Sequence, residues 1–292
     1  MKTTTVGRSG SGPRSASSPI PYLALIRPVN GAIASAAVLV GAFVSRWPTA
    51  WPPGFLGAAC AFLAASAANA LNDVVDREAD ALNRPARPIP SGRVTPRGAR
   101  WAALVLYAGA LSLAIPLGSR ALVLVSSWVV LTALYSRFVK GVPVAGNVLA
   151  SLVAASPFVL GGLTQGKVLL SLVPFALAFL VHLAREAVKD AGDKDGDARA
   201  GVRTLAVARG AGASVVMARV FIALAMAAAP LPYLARLYGA GYGAAVLFIE
   251  MLFVRELLIL RGRPGADRLE RASNGLKLVM LAGLVAFVLG VI

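Results

Sequence analysis

Nine of the 13 acidic residues crowd into two short windows. One reads Asn72-Asp73-Val74-Val75-Asp76-Arg77-Glu78-Ala79-Asp80, and the other runs from Glu186 through Asp190, Asp193 and Asp195 to Asp197. Each window holds aspartates at i, i+3 and i+7: Asp73, Asp76 and Asp80 in the first, Asp190, Asp193 and Asp197 in the second. The matching spacing reads as a weak internal repeat. At about 100° per residue these positions fall within roughly 60° of one another on a helix. Each triad therefore points one way if its helix continues past the neighbouring apolar segment. Asn69 joins the first face, and His182 and Glu186 sit comparably behind Asp190. Like charges on one face repel unless a cation sits among them. All-oxygen ligands suit hard cations, and Mg²⁺ combines a few carboxylates with substrate phosphate oxygens. Two facing clusters would make a cradle for two magnesium ions and a diphosphate. A merely solvated loop explains mixed charge but not the shared spacing. Asp193-Lys194-Asp195-Gly196-Asp197 opens like a calcium loop, yet its glycine comes too early and no closing glutamate follows.

The elements that must position these windows are membrane-sized. Of 292 residues, 58% are hydrophobic and only 14% are charged, against roughly 25% charged in a soluble domain. The apolar residues come in blocks near the ~20 residues that a helix needs to cross a hydrocarbon core. These blocks lack the charged back of a soluble amphipathic helix. About nine spans are expected, near 22–45, 53–73, 99–117, 120–137, 143–162, 168–189, 206–229, 239–260 and 274–292. The fold class is thus all-α integral membrane, with about nine transmembrane helices in a bundle around a central cavity. One aspartate window follows the second span and the other follows the sixth, so both lie on the same side. Several spans are rich in Ala, Gly and Ser, which lets membrane helices approach closely.

The formal charge of +16 fits this layout and not nucleic acid, because nothing here resembles a nucleic-acid module. Basic residues crowd the N-terminal tail and the connections near 74–98, 138–142, 190–205 and 261–273, whereas the opposite side carries only Arg46, Arg120, Lys167 and Arg236. The positive-inside rule then puts the N-terminus, both windows and the site's mouth in the cytoplasm of a multi-pass protein of the cell membrane. Arg27, Arg219 and Lys277 sit within or at the ends of spans. Residues 1–20, rich in Ser, Thr and Gly with Lys2, Arg8 and Arg14, read as a flexible basic tail. A cleaved leader fits less well, since the following apolar stretch runs on to about Val44. Residues 21–292 read as a single transmembrane domain. The lone cysteine, Cys60, rules out an intrachain disulfide and a cysteine cage for zinc.

At its two aspartate windows the chain resembles the UbiA superfamily of intramembrane prenyltransferases. Asn72, Asp73, Asp76 and Asp80 match that family's N-D-x-x-D-x-x-x-D motif, and Asp193 and Asp197 match its later D-x-x-x-D, with Gly201 downstream. Arg27-Pro28 and the nine-span layout also fit. Within the superfamily, Asn83-Arg84-Pro85-Ala86-Arg87-Pro88-Ile89-Pro90-Ser91-Gly92, the run from Arg185 to Asp190, and Leu134-Tyr135-Ser136 with Gly146-Asn147 are similar to archaeal digeranylgeranylglyceryl phosphate synthases. That resemblance implies magnesium-dependent transfer of a geranylgeranyl group from its diphosphate to the hydroxyl of geranylgeranylglyceryl phosphate, making an ether membrane lipid. An alternative within the superfamily is prenylation of an aromatic acid such as 4-hydroxybenzoate. Those enzymes usually place a lysine four residues after the span-4 tyrosine, where this chain has Val139 followed by Lys140.

The resemblance also implies roles. Asp76, Asp80, Asp193 and Asp197 are expected to be catalytic as metal ligands, supported by Asp73, Asp190 and Asn72. Arg77, Arg84, Arg87, Lys140, Lys189 and Arg203 would hold the diphosphate or the acceptor's phosphate. Arg27, Asn30 and Asn69 would join the substrate site from the early spans, because polar groups within a span face a cavity or a partner. Tyr135, Phe138 and Phe158 offer aromatic faces to an allylic cation, and the apolar spans would keep water away from it. Two rival classes fit less well. In Asp195-Gly196-Asp197-Ala198-Arg199 the motif of CDP-alcohol phosphotransferases is one residue short, and the first window goes unexplained. A cation transporter usually carries its carboxylates near the membrane midplane, whereas these lie at the ends of spans.

Overall fold

The computed structural model describes residues 20–291, so the expected tail lies outside the described residues except for Ile20. The described residues form helices and turns, with no strand among them. In chain order the helices are α1 (Ile20–Ile26), α2 (Pro28–Ser45), α3 (Trp51–Val75), α4 (Arg77–Asn83) and α5 (Pro96–Ala114). Then come α6 (Ser119–Leu134), α7 (Ala145–Ala155), α8 (Pro157–Thr164), α9 (Leu172–Arg199) and α10 (Leu205–Arg209). The last are α11 (Ala211–Ala228), α12 (Leu231–Leu234), α13 (Ala240–Ile259) and α14 (Ala266–Val291).

Seven helical stretches are long and apolar enough to cross a membrane: Pro28–Ser45, Trp51–Val75, Pro96–Leu117, Ala145–Thr164, Leu169–Arg199, Ala211–Leu234 and Ala266–Val291. Helix α6 is shorter, at 16 residues, and the 20-residue α13 carries Glu250, Arg255 and Glu256.

Several boundaries depart from the sequence expectation for identifiable reasons. The first apolar block is broken at Arg27, which adopts φ 50°, because the residue before a proline is driven out of the right-handed helical region. Pro28 then opens α2, where its missing N–H costs nothing. The span expected at 143–162 is two helices meeting at Ser156-Pro157. Trp128 Nε1 donates to the Ser156 hydroxyl at 2.6 Å, bracing that joint from α6. The span expected at 206–229 is split at Gly210, whose φ of 88° suits glycine. Helices α9 and α14 overrun their apolar segments in the opposite sense. The former continues to Arg199, and the latter starts at Ala266 with Asp267 in its first turn, where an acid favours the helix N-terminus.

Two apolar cores flank the central cavity. One is built by α9, α11, α13 and α14 around residues such as Ile222, Phe253 and Leu276. The other is built by α3, α5, α6 and α8 around Cys60, Ala110, Val125 and Leu160. Helix α2 contributes to both, through Ala37 and Val44 on one side and Val38 on the other. Cys60 is buried, with its thiol 3.0 Å from the Ala110 carbonyl, so it is a packing residue.

Candidate active site

A single cavity of about 1120 Å³ lies between the two cores. Small-molecule pockets range over roughly 300–1,000 Å³, so this one has room for long-chain ligands. Its inner part is apolar, walled by residues such as Ala37, Phe158, Val246 and Phe287. Both aspartate windows meet at its polar end. The first lies at the α3–α4 junction, where Asp76 stands between the two helices. The second rides on the continuous helix α9. What joins them is a close approach of α4 to α9: Asn83 Nδ2 donates to the Asp193 carbonyl at 3.2 Å, and a Cβ on Gly196 would overlap the Asn83 amide.

Of the residues expected in the site, Asn72, Asp76, Asp80, Asp190, Asp193 and Asp197 line this cavity. So do Arg27, Asn30, Asn69, Tyr135 and Phe158, and the basic side chains Arg84, Arg87, Lys140 and Lys189. Asp73, Arg77 and Arg203 do not. Arg77 is exposed and pairs with its neighbour Glu78 at 3.2 Å, and Arg203 is exposed in the turn before α10. Phe138 lies 64% exposed outside the main cavity. Arg77, Arg203 and Phe138 point outward from the chain around the motifs, since proximity in sequence to a motif does not decide which way a side chain points.

Asp73 takes a different place from that expected of it. Its side chain is only 1% exposed and sits behind the cavity wall, where it accepts from Arg27 and, at 3.4 Å, from Arg87. The backbone break at Arg27 is what lets this happen. Asn69 Nδ2 donates to the freed Ile26 carbonyl at 3.2 Å, and Asn30 Nδ2 donates to Asn69 Oδ1 at 3.4 Å. Burial lowers the pKa of the Arg27 guanidinium from its ordinary value, and the Asp73 carboxylate opposes that shift.

The repulsion within each triad is relieved mostly by the protein's own basic groups. Asp76 pairs with Lys140, Asp80 with Arg87, and Asp193 with Arg84, whose Nη2 donates to both carboxylate oxygens at 2.8 and 3.0 Å. Asn147 donates to Asp190 at 3.0 Å. Asp197 has no hydrogen bond or ion pair from another side chain among the described residues. No three acidic, histidine or cysteine side chains among them stand close enough to cage a metal alone. Basic groups meet the carboxylates of both triads: Arg87 folds back onto Asp80 from seven residues on, while Lys140 reaches Asp76 and Arg84 reaches Asp193 from segments distant in sequence. The donor set still suits Mg²⁺. That ion is held by one or two carboxylates plus phosphate oxygens and keeps several waters. Oxygen donors from both windows, including the unpartnered Asp197, face one cavity.

Lys140 shows how local geometry changes a sequence argument. Residues Tyr135–Val139 form a π turn, and Lys140 N donates to the Tyr135 carbonyl at 2.9 Å. A π turn inserts one residue into a helix. Lys140 therefore stands one turn beyond Tyr135, as the fourth residue would in a regular α-helix. The site also includes residues to which the sequence assigns no role, notably Glu270, Ser273, Asn274 and Lys277 from α14. Their signal was present as a polar stripe entering the last apolar segment.

The model of the UbiA prenyltransferase family matches residues 34–289. A digeranylgeranylglyceryl phosphate synthase of Methanopyrus kandleri is 37% identical over 91% of this chain and 97% of its own length. A solved structure of a digeranylgeranylglyceryl phosphate synthase superposes with a TM-score of 0.73 at 28% identity, covering 93% of this chain and 98% of that one. The fold is shared as well with a UbiA homologue from Archaeoglobus fulgidus solved with GPP and Mg²⁺, at a TM-score of 0.69 and 18% identity over 92% of this chain and 99% of that one. On this match and these relatives, the chain belongs to the UbiA prenyltransferase family of integral membrane enzymes.

Proposed function

We propose that the protein transfers a geranylgeranyl group from its diphosphate to the free hydroxyl of geranylgeranylglyceryl phosphate, making a diether lipid phosphate. The observation that carries this reading is one cavity whose polar end joins two aspartate windows and whose inner wall is apolar. Similarity to digeranylgeranylglyceryl phosphate synthases along nearly the whole chain supports the choice of acceptor. Asp76, Asp80, Asp193 and Asp197 would hold two magnesium ions, with Asn72 and Asp190 orienting them from beside the site. Bound there, Mg²⁺ supplies positive charge that an allylic diphosphate needs to leave. Arg84, Arg87 and Lys140 would move between their carboxylate partners and the diphosphate oxygens, adding charge where it develops. The carbon–oxygen bond to the diphosphate breaks, the acceptor oxygen takes its place on the allylic carbon, and the hydroxyl proton is released. The apolar wall keeps water from competing for the cation.

In this reading the N-terminus and the cavity's mouth face the cytoplasm, supported by the crowding of basic residues on that side. Nine crossings are proposed. Helix α6 with its following π turn, and α13, would complete the seven longer stretches.

Purified protein incubated with geranylgeranyl diphosphate and Mg²⁺ is expected to consume the diphosphate only when geranylgeranylglyceryl phosphate is supplied, giving a product of the summed lipid mass. Product formed from 4-hydroxybenzoate instead would move the assignment to aromatic prenylation, and no consumption with either acceptor would reject both. Gly196→Ala is expected to cut kcat roughly 10- to 100-fold. The added methyl displaces Asn83 and with it the alignment of the two windows. Unchanged steady-state kinetics would show that this approach does not matter.

A further inference from the structure

Seven basic side chains line the cavity, and six of them have a carboxylate partner. Four of those six face the aspartate windows, as described above. Arg185 and Lys189 both turn to Glu186, Lys189 at 2.8 Å and Arg185 only at 3.7 Å. The seventh, Lys277, has no hydrogen bond or ion pair among the described residues. Arg185 is also incompletely satisfied, since its Nε is buried without an acceptor.

These two groups face each other. Helices α9 and α14 run antiparallel, and a Cβ on Gly192 would stand 3.9 Å from that of Leu269. Two turns back along α9 and two turns on along α14 bring Arg185 opposite Leu276 and Lys277. Both lie about 20 Å along their helices from the end opposite the mouth. Ser273 and Asn274, one turn before Lys277 on the same face of α14, line the cavity as well. Glu270, the acid that α14 brings to the cavity, stands two turns nearer the mouth. Cations at such depth are costly unless something pairs with them, and they mark substrate paths. A buried guanidinium N–H without an acceptor and a lysine without a partner, in one pocket, call for an anion.

That anion is not the donor's diphosphate. Arg185 precedes Asp193 by eight residues on one helix, about 12 Å, and a diphosphate is too short to bridge the two. An acceptor carrying its own phosphate presents a second anion that needs cations not already bound to aspartate.

We propose that Lys277 and Arg185, with Ser273 and Asn274, bind the phosphate monoester of the lipid acceptor at a subsite separate from the aspartate-lined mouth. This rests on the function proposed above and adds to it the place where the acceptor's charged end is held. The subsite would then distinguish a phosphorylated acceptor from an uncharged one.

The test is equilibrium binding to the purified full chain, comparing geranylgeranylglyceryl phosphate with geranylgeranylglycerol. Wild type is expected to prefer the phosphorylated lipid by roughly 10- to 100-fold, the range for a charge-assisted hydrogen bond. Lys277→Met removes most of that preference, Lys277→Arg restores it, and affinity for geranylgeranyl diphosphate stays within about threefold. Arg185→Gln provides a second probe of the same pair should Lys277→Met fold poorly. Wild type without a preference, a Lys277→Met protein that keeps it, or a matching loss of donor affinity would each overturn the proposal. Turnover is read separately. Protein that shows the Lys277-dependent preference yet prenylates only an aromatic acid would refute the functional reading and leave the phosphate site standing. Turnover of the lipid acceptor without that preference would refute the phosphate site alone.

Discussion

Asp193→Ala and Asp76→Ala are each expected to lower kcat by about 10³-fold or more while the protein keeps its helicity and its thermal midpoint. Losing one preorganised charge contact to a leaving group costs on the order of 10²–10³ in rate. Here each aspartate would also help place the metal that neutralises the pyrophosphate. Both carboxylates are partly exposed at the cavity, 26% for Asp193 and 23% for Asp76, and each is paired with a flexible basic side chain. Pairs of that exposure contribute only ~0–1 kcal/mol to stability, so activity and folding should separate cleanly. Asp73→Ala is the contrasting variant. That carboxylate is buried and holds both Arg27 and Arg87. Arg87 keeps Asp80, but Arg27 loses its only ion-pair partner among the described residues. Breaking a buried pair costs about 3–5 kcal/mol, less here because Arg27 is partly exposed. A lowered thermal midpoint is expected for Asp73→Ala alone. Near-normal turnover in both Asp76→Ala and Asp193→Ala would remove the aspartates from the chemistry, and equal melting of all three variants would remove the distinction drawn for Asp73.

How much of this was legible beforehand depended on whether a feature is local. The apolar blocks and the two aspartate spacings are local, and both were readable as membrane helices and as an acidic face on each of two segments. That α9 carries the whole second triad follows from the same periodicity. The ion pairs are not local. Nothing in the spacing of Asp80 says that Arg87 folds back onto it from the Pro85–Pro88 turn, or that Arg84 crosses to Asp193 on a different helix. Asp73 and Asp76 look equivalent in sequence, yet a break at Arg27 buries one and leaves the other at the cavity. The π turn before Lys140 is similarly silent, because a single inserted residue leaves no composition mark. Lys277 was visible as a cation inside an apolar segment, but that it stands opposite Arg185 on α9 depends on the register between two helices.

The strongest structural prediction concerns the crossing of α2 and α8. A Cβ on Gly41 would overlap the Phe158 carbonyl oxygen and lie 2.9 Å from its carbonyl carbon and Cα. A Cβ on Gly161 would overlap the Val38 carbonyl oxygen and lie 2.6 Å from Ala42 N and 2.8 Å from the Gly41 carbonyl carbon. Each glycine therefore meets backbone, which cannot rotate aside as a side chain does. Membrane helices gain little from hydrophobicity against one another, so close backbone packing is a large part of what holds them. Inserting a methyl group into such a contact costs about 1–3 kcal/mol, and a branched side chain costs more. Gly41→Ala and Gly161→Ala are each expected to lower the thermal midpoint by several degrees at a fixed scan rate, about 2–4 °C per kcal/mol, and Gly161→Val to prevent recovery of folded protein. The double alanine variant should be little worse than the more damaging single one. Once one methyl has pushed the axes apart the second meets less resistance, and neighbouring substitutions that share a contact are not additive. Gly283→Ala is the control. It lies within α14 with nothing within 4 Å of the added atom, so the ordinary helix preference for alanine over glycine applies and stability should hold or rise. Because α2 belongs to both cores, separating it from α8 would shift Phe158 and Ala37 in the cavity wall together, so loss of stability should come with weaker binding of the prenyl chain. Melting of Gly161→Ala at the wild-type temperature would mean that the two helices do not cross at this distance.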